Sequence, residues 1–259
     1  MKIMNLNNNS GYSFNAKVEC QHIIDWIREW FENNGKNCNA VIGISGGKDS
    51  TVVAALCKEA LGADRVIGVL MPNGIQSDIE DAKAVVNHLG IRSIEINIEK
   101  AVNGLMEQIS TFVEVSTQTK INLPPRIRMS TLYAISQSYY GRVANTSNLS
   151  EKIVSWETRW ADSVGDFSPL AKYTATEVVS IGKELGLPIY LVEKIPTDGL
   201  CGHTDEESLG VTYQEIDEYI RTGKTNTRAQ KIIDKRRIQY SFKSKPIPTY
   251  QPNLENCLL

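Results

Sequence analysis

The sequence has no apolar stretch that approaches the roughly 20 residues a membrane-spanning helix needs, although 41% of its 259 residues are hydrophobic. Residues 1–15 lack the apolar core of a signal peptide, and we interpret them as a flexible arm. The formal net charge of −2 provides no overall attraction to nucleic acid or to an anionic membrane surface. These features predict a cytoplasmic globular protein with neither a membrane nor a nucleic acid as partner.

Cysteine and histidine are also scarce. The five cysteines are scattered and form no C-x-x-C pair, which argues against a zinc site and fits reduced thiols in the cytosol. The three histidines, His22, His88 and His203, form no recognisable set with a serine or cysteine nucleophile. We therefore assign none of them a catalytic role, although His203, in an acidic segment, merits a test.

The common phosphate-binding loop is missing too. That loop has four residues between its first glycine and a Gly-Lys-Ser/Thr sequence. Here only three residues separate Gly43 from Gly47-Lys48, and Asp49 replaces the hydroxyl residue. The segment 40–56 instead reads AVIGISGGKDSTVVAAL, an apolar run followed by a glycine turn and a helix-like pattern. Backbone N–H groups at such a helix start converge on one point, where the helix dipole favours an anion, so the segment predicts a phosphate site.

A carboxylate, Asp49, follows the glycine turn. Beside a bound phosphate it is repulsive unless a cation lies between them, so the sequence predicts Mg²⁺ together with a nucleotide. Ser45, Ser50 and Thr51 add hydroxyl groups, and Lys48 adds a positive charge. The six residues SGGKDS resemble the loop of ATP pyrophosphatases, which bind the pyrophosphate of ATP and transfer AMP to an oxygen of the substrate.

Apolar periodicity divides the rest of the chain into alternating strands and helices. Strands are predicted at Ala40–Ile44, Arg65–Met71, Ile91–Ile98 and Arg142–Ala144. Helices are predicted at Ala16–Phe31, Thr51–Leu61, 77–89, Glu99–Ser116, Arg126–Tyr140, 174–185, Gly210–Ile220 and Ala229–Tyr240, with capping boxes at Ser77/Glu80 and Thr174/Glu177. Between them we predict a link at Lys120–Pro125, a substrate-contacting loop at Lys152–Asp166 and a mobile acidic loop at Gly202–Ser208. This order predicts an α/β fold, a doubly wound parallel sheet flanked by helices, in a single domain over residues 1–259.

Seven stretches occur in the order found in NAD synthetases and cover nearly the whole chain after Ala16. They are SGGKDST at 45–51, PNGIQSDIEDA at 72–82, RIRM at 126–129, NTSNLSE at 145–151, GDFSPL at 165–170, KIPTDGL at 194–200 and DEESLGVTYQEID at 205–217. The chain therefore resembles that family, and the resemblance implies the fold of ATP pyrophosphatases, also described as adenine nucleotide alpha hydrolase-like.

The resemblance also implies a reaction, a metal and an oligomeric state. ATP activates the nicotinate carboxylate of deamido-NAD as an acyl-adenylate with release of pyrophosphate, and ammonia then displaces AMP to give NAD. Mg²⁺ supports the first step, and the enzyme is a homodimer. A glutaminase domain would need roughly another 100–200 residues, for which this chain has no room, so we expect the ammonia-dependent form.

Site residues follow from the resemblance position by position. The ATP phosphates are expected on Gly43, Ile44, Ser45, Gly46, Gly47, Lys48, Asp49 and Ser50, with further ATP contacts from Thr146 and Thr197. Asp49 and Glu151 are the expected Mg²⁺ ligands. Deamido-NAD is expected on Arg126 (across the dimer interface), Arg159, Asp166, Phe242 and Lys243. Lys48, Asp49 and Asp166 are the predicted catalytic residues, Asp166 as the group that takes a proton from the incoming ammonia.

Four positions depart from the family pattern. The strand-end motif is Asn145-Thr146-Ser147 where Gly-Thr-Asp is commonest, and Phe242 replaces a histidine near the tail. Ala175 replaces a lysine that contacts ATP phosphate, so either Lys172 supplies that contact or it is absent.

Two other functions stay open on the sequence. The first is an enzyme that adenylates a tRNA base for thiolation, against which the absence of a basic face and of paired cysteines argues. The second is a non-catalytic adenine-nucleotide sensor or dimeric scaffold, suggested by the changes at Ala175 and Phe242. We also hypothesise that the 200–208 loop closes over bound ATP.

Overall fold

A four-stranded parallel sheet forms the centre of the computed structural model, which describes residues 12–76, 78–195 and 204–250. The strands are β1 (Asn39–Gly43), β2 (Val66–Leu70), β3 (Arg92–Glu95) and β4 (Gly141–Val143), in the spatial order β3-β2-β1-β4. The strand order reverses beside β1, and in open α/β sheets ligands bind beyond the carboxyl ends of the strands at such a point. The predicted doubly wound parallel sheet is therefore confirmed.

Helices cover both faces of the sheet. One face packs against α1 (Ala16–Asn34), α2 (Lys48–Leu61), α3 (Ile79–Leu89), α7 (Ala175–Glu184) and α8 (Ile189–Val192). The other face packs against α4 (Glu99–Ser110) and α5 (Thr117–Ser138). Alternating residues of β1 serve the two cores, since Ala40 and Ile42 belong to the first and Val41 to the second.

A third apolar cluster lies towards the C-terminal part of the chain. It joins α6 (Leu149–Ile153), α9 (Asp205–Leu209), α10 (Tyr213–Thr222) and α11 (Thr227–Tyr240), which is followed by a 3₁₀ turn at Ser241–Lys243; another 3₁₀ turn covers Ala63–Arg65. Ile216 and Ile233, on α10 and α11, are fully buried in it. The helices predicted at Gly210–Ile220 and Ala229–Tyr240 therefore each bury one face.

The longest helix was predicted only in part. The segment Lys120–Pro125 lies inside α5, so its prediction as a link is wrong, and α4 ends at Ser110, before the predicted Ser116. Pro124 and Pro125 each remove a backbone hydrogen bond from the helix, a cost of about 3 kcal/mol for an interior proline. Pro124 is buried and Leu123 and Ile127 pack on the second core, so we attribute the continuous helix to tertiary packing that outweighs the local signal.

Two further predictions differ from the structure or cannot be compared with it. The mobile loop predicted at Gly202–Ser208 is wrong for its last four residues, because α9 begins at Asp205 and that residue is only 7% exposed. Helix α3 begins at Ile79 with Asp78 as its N-cap. Ser77, Thr197, His203 and most of the predicted arm lie outside the described residues. Within the described ranges, no helix combines the length and apolar character required to cross a membrane.

Candidate active site

A cavity of about 730 Å³ opens beyond the carboxyl ends of β1 and β4, where the strand order reverses. Ten of the predicted site residues line it: Gly43, Ile44, Ser45, Gly47, Lys48, Asp49, Ser50, Thr146, Glu151 and Lys243. Gly46, Arg126, Arg159, Asp166 and Phe242 are not part of its wall, and Thr197 lies outside the described residues. The predicted polyphosphate loop and both predicted metal ligands thus face one space.

The glycine loop is held in shape by its own hydroxyl groups. Ser50 Oγ donates to Gly47 O at 3.2 Å, and Thr51 Oγ1 donates to the same carbonyl at 2.7 Å. Gly46 has a φ of +78°, and a Cβ there would lie 2.8 Å from Ala82 N, so this position requires glycine for its backbone and for its packing on α3. Helix α2 then begins at Lys48 without a side-chain cap. Its first N–H groups are therefore available to an anion in the cavity.

Lys48 is a buried cation in the wall of this cavity. Its side chain is 5% exposed, its Nζ donates to Asp49 Oδ2 at 2.8 Å, and it lies 5.3 Å from the centre of the Tyr213 ring. Burial lowers the pKa of Lys48, but attraction to Asp49, Glu151 and Asp205 outweighs that effect and the pKa is raised overall. Lys48 is therefore charged at neutral pH.

Two carboxylates, Asp49 and Glu151, face the cavity from α2 and α6. The pKa of Glu151 is raised well above its usual range, first by burial and then by repulsion from Asp49. A divalent cation between the two would relieve that repulsion, and Mg²⁺ is commonly held by one or two carboxylates together with phosphate oxygens and water. No group of three or more His, Cys, Asp or Glu in the described ranges is placed to hold a metal ion by itself. The donor set therefore fits Mg²⁺ bound jointly with a polyphosphate.

Asn145, the first residue of the strand-end motif, has a structural role. Asn145 is 7% exposed; its Nδ2 donates to Asp162 O at 2.7 Å and its Oδ1 accepts from Ser168 Oγ at 2.8 Å. These bonds fasten the 162–168 segment to the end of β4. Thr146, the next residue, lines the cavity. The asparagine that departs from the family's glycine thus has a structural partner here.

Three of the predicted deamido-NAD residues lie together outside the cavity wall. Arg126 Nε donates to Arg159 O at 3.4 Å, and the Arg159 guanidinium lies 5.4 Å from the centre of the Phe242 ring. Asp166 Oδ2 accepts from Val143 N at 2.7 Å, and its Oδ1 accepts from Tyr133 at 3.4 Å. The assignment of Arg126, Arg159, Asp166 and Phe242 to deamido-NAD binding stays a prediction.

The proposed replacement for the family lysine does not lie in the cavity. Ala175 is 3% exposed, and its N–H donates to Ser150 Oγ at 2.9 Å. Lys172 lines a separate cleft with His22, Trp26 and Tyr173. Lys194, however, lines the main cavity, with its Nζ 2.6 Å from Asp81 Oδ2.

Several cavity residues carry no local sequence signal. Arg236 donates from Nε to Val154 O at 2.8 Å and lies between Trp156 and Tyr240, 5.4 and 5.3 Å from the ring centres. Asp162 is open to the cavity, but the surrounding protein desolvates it and raises its pKa to about 6. Arg128 and Asp205 in the cavity wall were also missed, as was Asn148, which is fully buried and donates to Asp49. Each is brought to the site by packing between distant segments, so the capping position of Asn148, before Glu151, was the only available clue.

Comparison with known proteins decides the family. The family model described as NAD synthase matches residues 19–252. The chain belongs to the NAD synthase family. This chain is 35% identical to an NH(3)-dependent NAD(+) synthetase from Finegoldia magna. The match covers 92% of this chain and 97% of that relative.

Solved structures agree with the family assignment. The NMN synthetase from Francisella tularensis is 30% identical with a TM-score of 0.85, covering 93% of this chain and 100% of that one. The NH3-dependent NAD synthetase from Campylobacter jejuni is 27% identical with a TM-score of 0.75, covering 92% and 100%. The resemblance stated from the seven sequence stretches and the predicted fold class are both confirmed.

Proposed function

We propose that the protein is a ligase that amidates deamido-NAD with ammonia at the expense of ATP, giving NAD, AMP and pyrophosphate through an acyl-adenylate. The observation that carries this proposal is the cavity in which the α2 N-terminus, Lys48, Asp49 and Glu151 face one another in a member of the NAD synthase family. Both substrates of the first step are anions, so the main task of the site is electrostatic. No side-chain nucleophile is needed, because the carboxylate of the substrate attacks the α-phosphate.

The glycine loop and its neighbours act on the ATP polyphosphate. The free N–H groups of α2 and the charged Lys48 bind the phosphates that leave as pyrophosphate. Asp49 and Glu151 would hold Mg²⁺, which supplies charge neutralisation of that leaving group when bound. Thr146, which follows β4 and lines the same cavity, would add a contact to ATP.

The nicotinate substrate would use the wall formed by α11 and the segment after α6. Arg236 and Lys243 line this wall, and desolvation first, then the charge of Arg236, lowers the pKa of Lys243. Two neighbouring cations favour an anionic ligand such as the phosphate beside the nicotinate ribose. Trp156 and Tyr240 add aromatic surface for the nucleotide.

The ammonia step needs a group that accepts a proton. Asp162 lines the cavity and has a pKa of about 6, so it is ionised at neutral pH and can accept a proton from an incoming ammonium ion. Asp166, predicted for this role from the sequence, is not part of the cavity wall. We therefore favour Asp162.

We also propose that the protein is a cytoplasmic homodimer, and exposed apolar side chains beside the second core support the dimer. Leu105, within α4, is 42% exposed, and Phe112 and Val113, just after the end of that helix, are 89% and 59% exposed. Exposed apolar side chains grouped in this way commonly mark a protein interface. Arg126 lies on the adjoining α5, which is where a residue acting across a dimer interface would be expected.

The test is a turnover assay of the purified protein. We expect AMP release that requires deamido-NAD, ammonium and Mg²⁺ together, with ammonium replacing glutamine completely as nitrogen donor. AMP release of the same size without deamido-NAD, or a requirement for tRNA, would refute the proposal.

A second candidate is amidation of the nicotinate mononucleotide, with NMN as product. It is favoured by the Francisella tularensis NMN synthetase, which has the higher TM-score and identity of the two structures compared above. The two activities share the polyphosphate site and differ in whether the substrate carries a second nucleotide. The ratio of kcat/KM for deamido-NAD and for nicotinate mononucleotide decides between them.

A further inference from the structure

Asn148 is a fully buried residue at the start of α6, with 0% exposure. Its Oδ1 accepts a hydrogen bond from Glu151 N at 3.1 Å, and its own N–H donates to Glu151 Oε2 at 3.3 Å. This reciprocal pair is a capping box. The oxygen of the Asn148 side-chain amide therefore helps to fix the backbone position of Glu151.

The other end of the same amide reaches a different element. Asn148 Nδ2 donates to Asp49 Oδ1 at 3.0 Å, although the two residues are 99 positions apart. The second oxygen of Asp49 accepts from Lys48 Nζ at 2.8 Å. Asn148 thus contacts Asp49 and Glu151, which both face the cavity. Its side-chain amide donates to Asp49 and accepts from Glu151 N.

Asparagine is the residue type that this double contact requires. Serine, threonine and aspartate cap helices about as well as asparagine. Serine and threonine have too short a side chain to reach Asp49 as well, and aspartate would place a third negative charge there. The other capping boxes in the described ranges begin with threonine, at Thr174, Thr204 and Thr212, so a capping box does not by itself require asparagine.

We propose that Asn148 is a positioning residue, which holds the carboxylates of Asp49 and Glu151 at the separation needed to share one divalent cation. This inference rests on the metal site of the proposed function. Asn148 does not touch substrate in this role. It offsets part of the repulsion between two like charges by donating to one of them and by fixing the backbone of the other.

The test separates capping from positioning by means of Asn148→Ser, which keeps a capping oxygen and loses the donor to Asp49. The readout is the apparent Kd for Mn²⁺, measured by electron paramagnetic resonance in the presence of a non-hydrolysable ATP analogue. We expect Kd to rise about 10- to 100-fold, as for loss of a partner that orients a metal ligand. The melting temperature should stay close to that of the wild type. Asn148→Ala should show the same loss of affinity and also a lower melting temperature.

Asn226 provides a matched control. It caps α11 through Oδ1, which accepts from Ala229 N at 2.9 Å, while its Nδ2 donates to Glu215 at 2.5 Å on the surface. Asn226→Ser should leave the Mn²⁺ affinity unchanged. Wild-type affinity in Asn148→Ser overturns the inference, as does unfolding of both Asn148→Ser and Asn148→Thr, which would assign Asn148 to folding alone. If the wild type binds Mn²⁺ but amidates neither nicotinate nucleotide, the proposed function fails while the inference about Asn148 stands.

Discussion

Ser150 donates its hydroxyl hydrogen to Asp217, and Ser150 is the residue immediately before Glu151. Both side chains are buried, at 0% and 2% exposure. The second oxygen of Asp217 accepts from Thr176 N at 2.9 Å, in the first turn of α7. A single carboxylate on α10 therefore ties together the helix that carries Glu151 and the N-terminus of α7.

Replacement of this carboxylate should destabilise the fold. In Asp217→Ala the Ser150 hydroxyl and the Thr176 N–H both lose their buried acceptor, at about 1–3 kcal/mol each. We expect the free energy of unfolding, measured in urea, to fall by about 2–5 kcal/mol. Asp234→Ala is the control, because Asp234 is 44% exposed and accepts from Tyr219 at the surface. Equal losses in the two variants would contradict the role given to Asp217.

Removal of either acidic charge in the cavity should impair the adenylation step. Asp49→Asn and Glu151→Gln keep the shape of the side chain and lose the charge that would hold Mg²⁺. We expect the rate of AMP release to fall by at least about 100-fold, equivalent to about 3 kcal/mol, with half-maximal activity at higher Mg²⁺. Asp25→Asn, on the exposed face of α1, should behave as wild type. Normal Mg²⁺ dependence in Asp49→Asn would refute the metal assignment.

The polyphosphate loop could be predicted because its signals are local. A buried strand, two adjacent glycines and the start of a helix all fall within residues 40–56, and each has its own backbone preference. The parallel sheet and the positions of most helices were predicted from the alternation of short apolar runs with helical patterns. The prolines of α5 led to a wrong prediction, a link in place of a continuous helix, because the local sequence does not show that this segment packs on the second core.

Outside that loop, Thr146, Glu151 and Lys243 were predicted only through the family resemblance. The other cavity residues could not be predicted, since their position depends on contacts between distant segments. Asn148 meets Asp49 across 99 positions, and Arg236 reaches the cavity wall from α11 with its Nε bonded to Val154 O. The apolar pattern of α11 indicated a helix but not the partner of each face. Asp205 was assigned to a mobile loop because its neighbours are acidic, yet its Oδ2 accepts from the Tyr213 hydroxyl at 3.0 Å inside the third core.

Two adjacent arginines on α11 allow the nicotinate wall to be tested. Arg236 lines the cavity, whereas Arg237 is 48% exposed and donates to the Tyr219 hydroxyl at 2.8 Å. Arg236→Ala should raise the KM for the nicotinate substrate about 10-fold, equivalent to about 1.4 kcal/mol, with little change in the KM for ATP. Arg237→Ala should change neither. If Arg236→Ala raises the KM for ATP more than the KM for the nicotinate substrate, the assignment of this wall to the nicotinate substrate is wrong.

The exposed apolar side chains just after α4 predict how the chain associates. Phe112→Asp places a charge on a side chain that is 89% exposed, so the isolated fold should keep its stability. If this surface is the dimer interface, burial of the new charge should weaken association by at least about 10-fold, measured by analytical ultracentrifugation. Tyr140→Asp is the control, at an 81% exposed residue beside β4. An unchanged dimer in Phe112→Asp would move the interface elsewhere.

The pKa of Asp162 predicts the acid limb of the amidation rate. Desolvation raises that pKa to about 6, so Asp162 is ionised above this pH and protonated below it. The rate of the ammonia step, measured at constant free ammonia, should therefore fall about 10-fold for each pH unit below 6. Asp162→Asn should be slow throughout and lose this limb. Asp166→Asn should retain it, because Asp166 is bonded to Val143 N outside the cavity wall. If Asp166→Asn loses the acid limb instead, Asp166 is the proton acceptor, as predicted from the sequence. The reason is that the pH dependence disappears only when the group that accepts the proton is replaced.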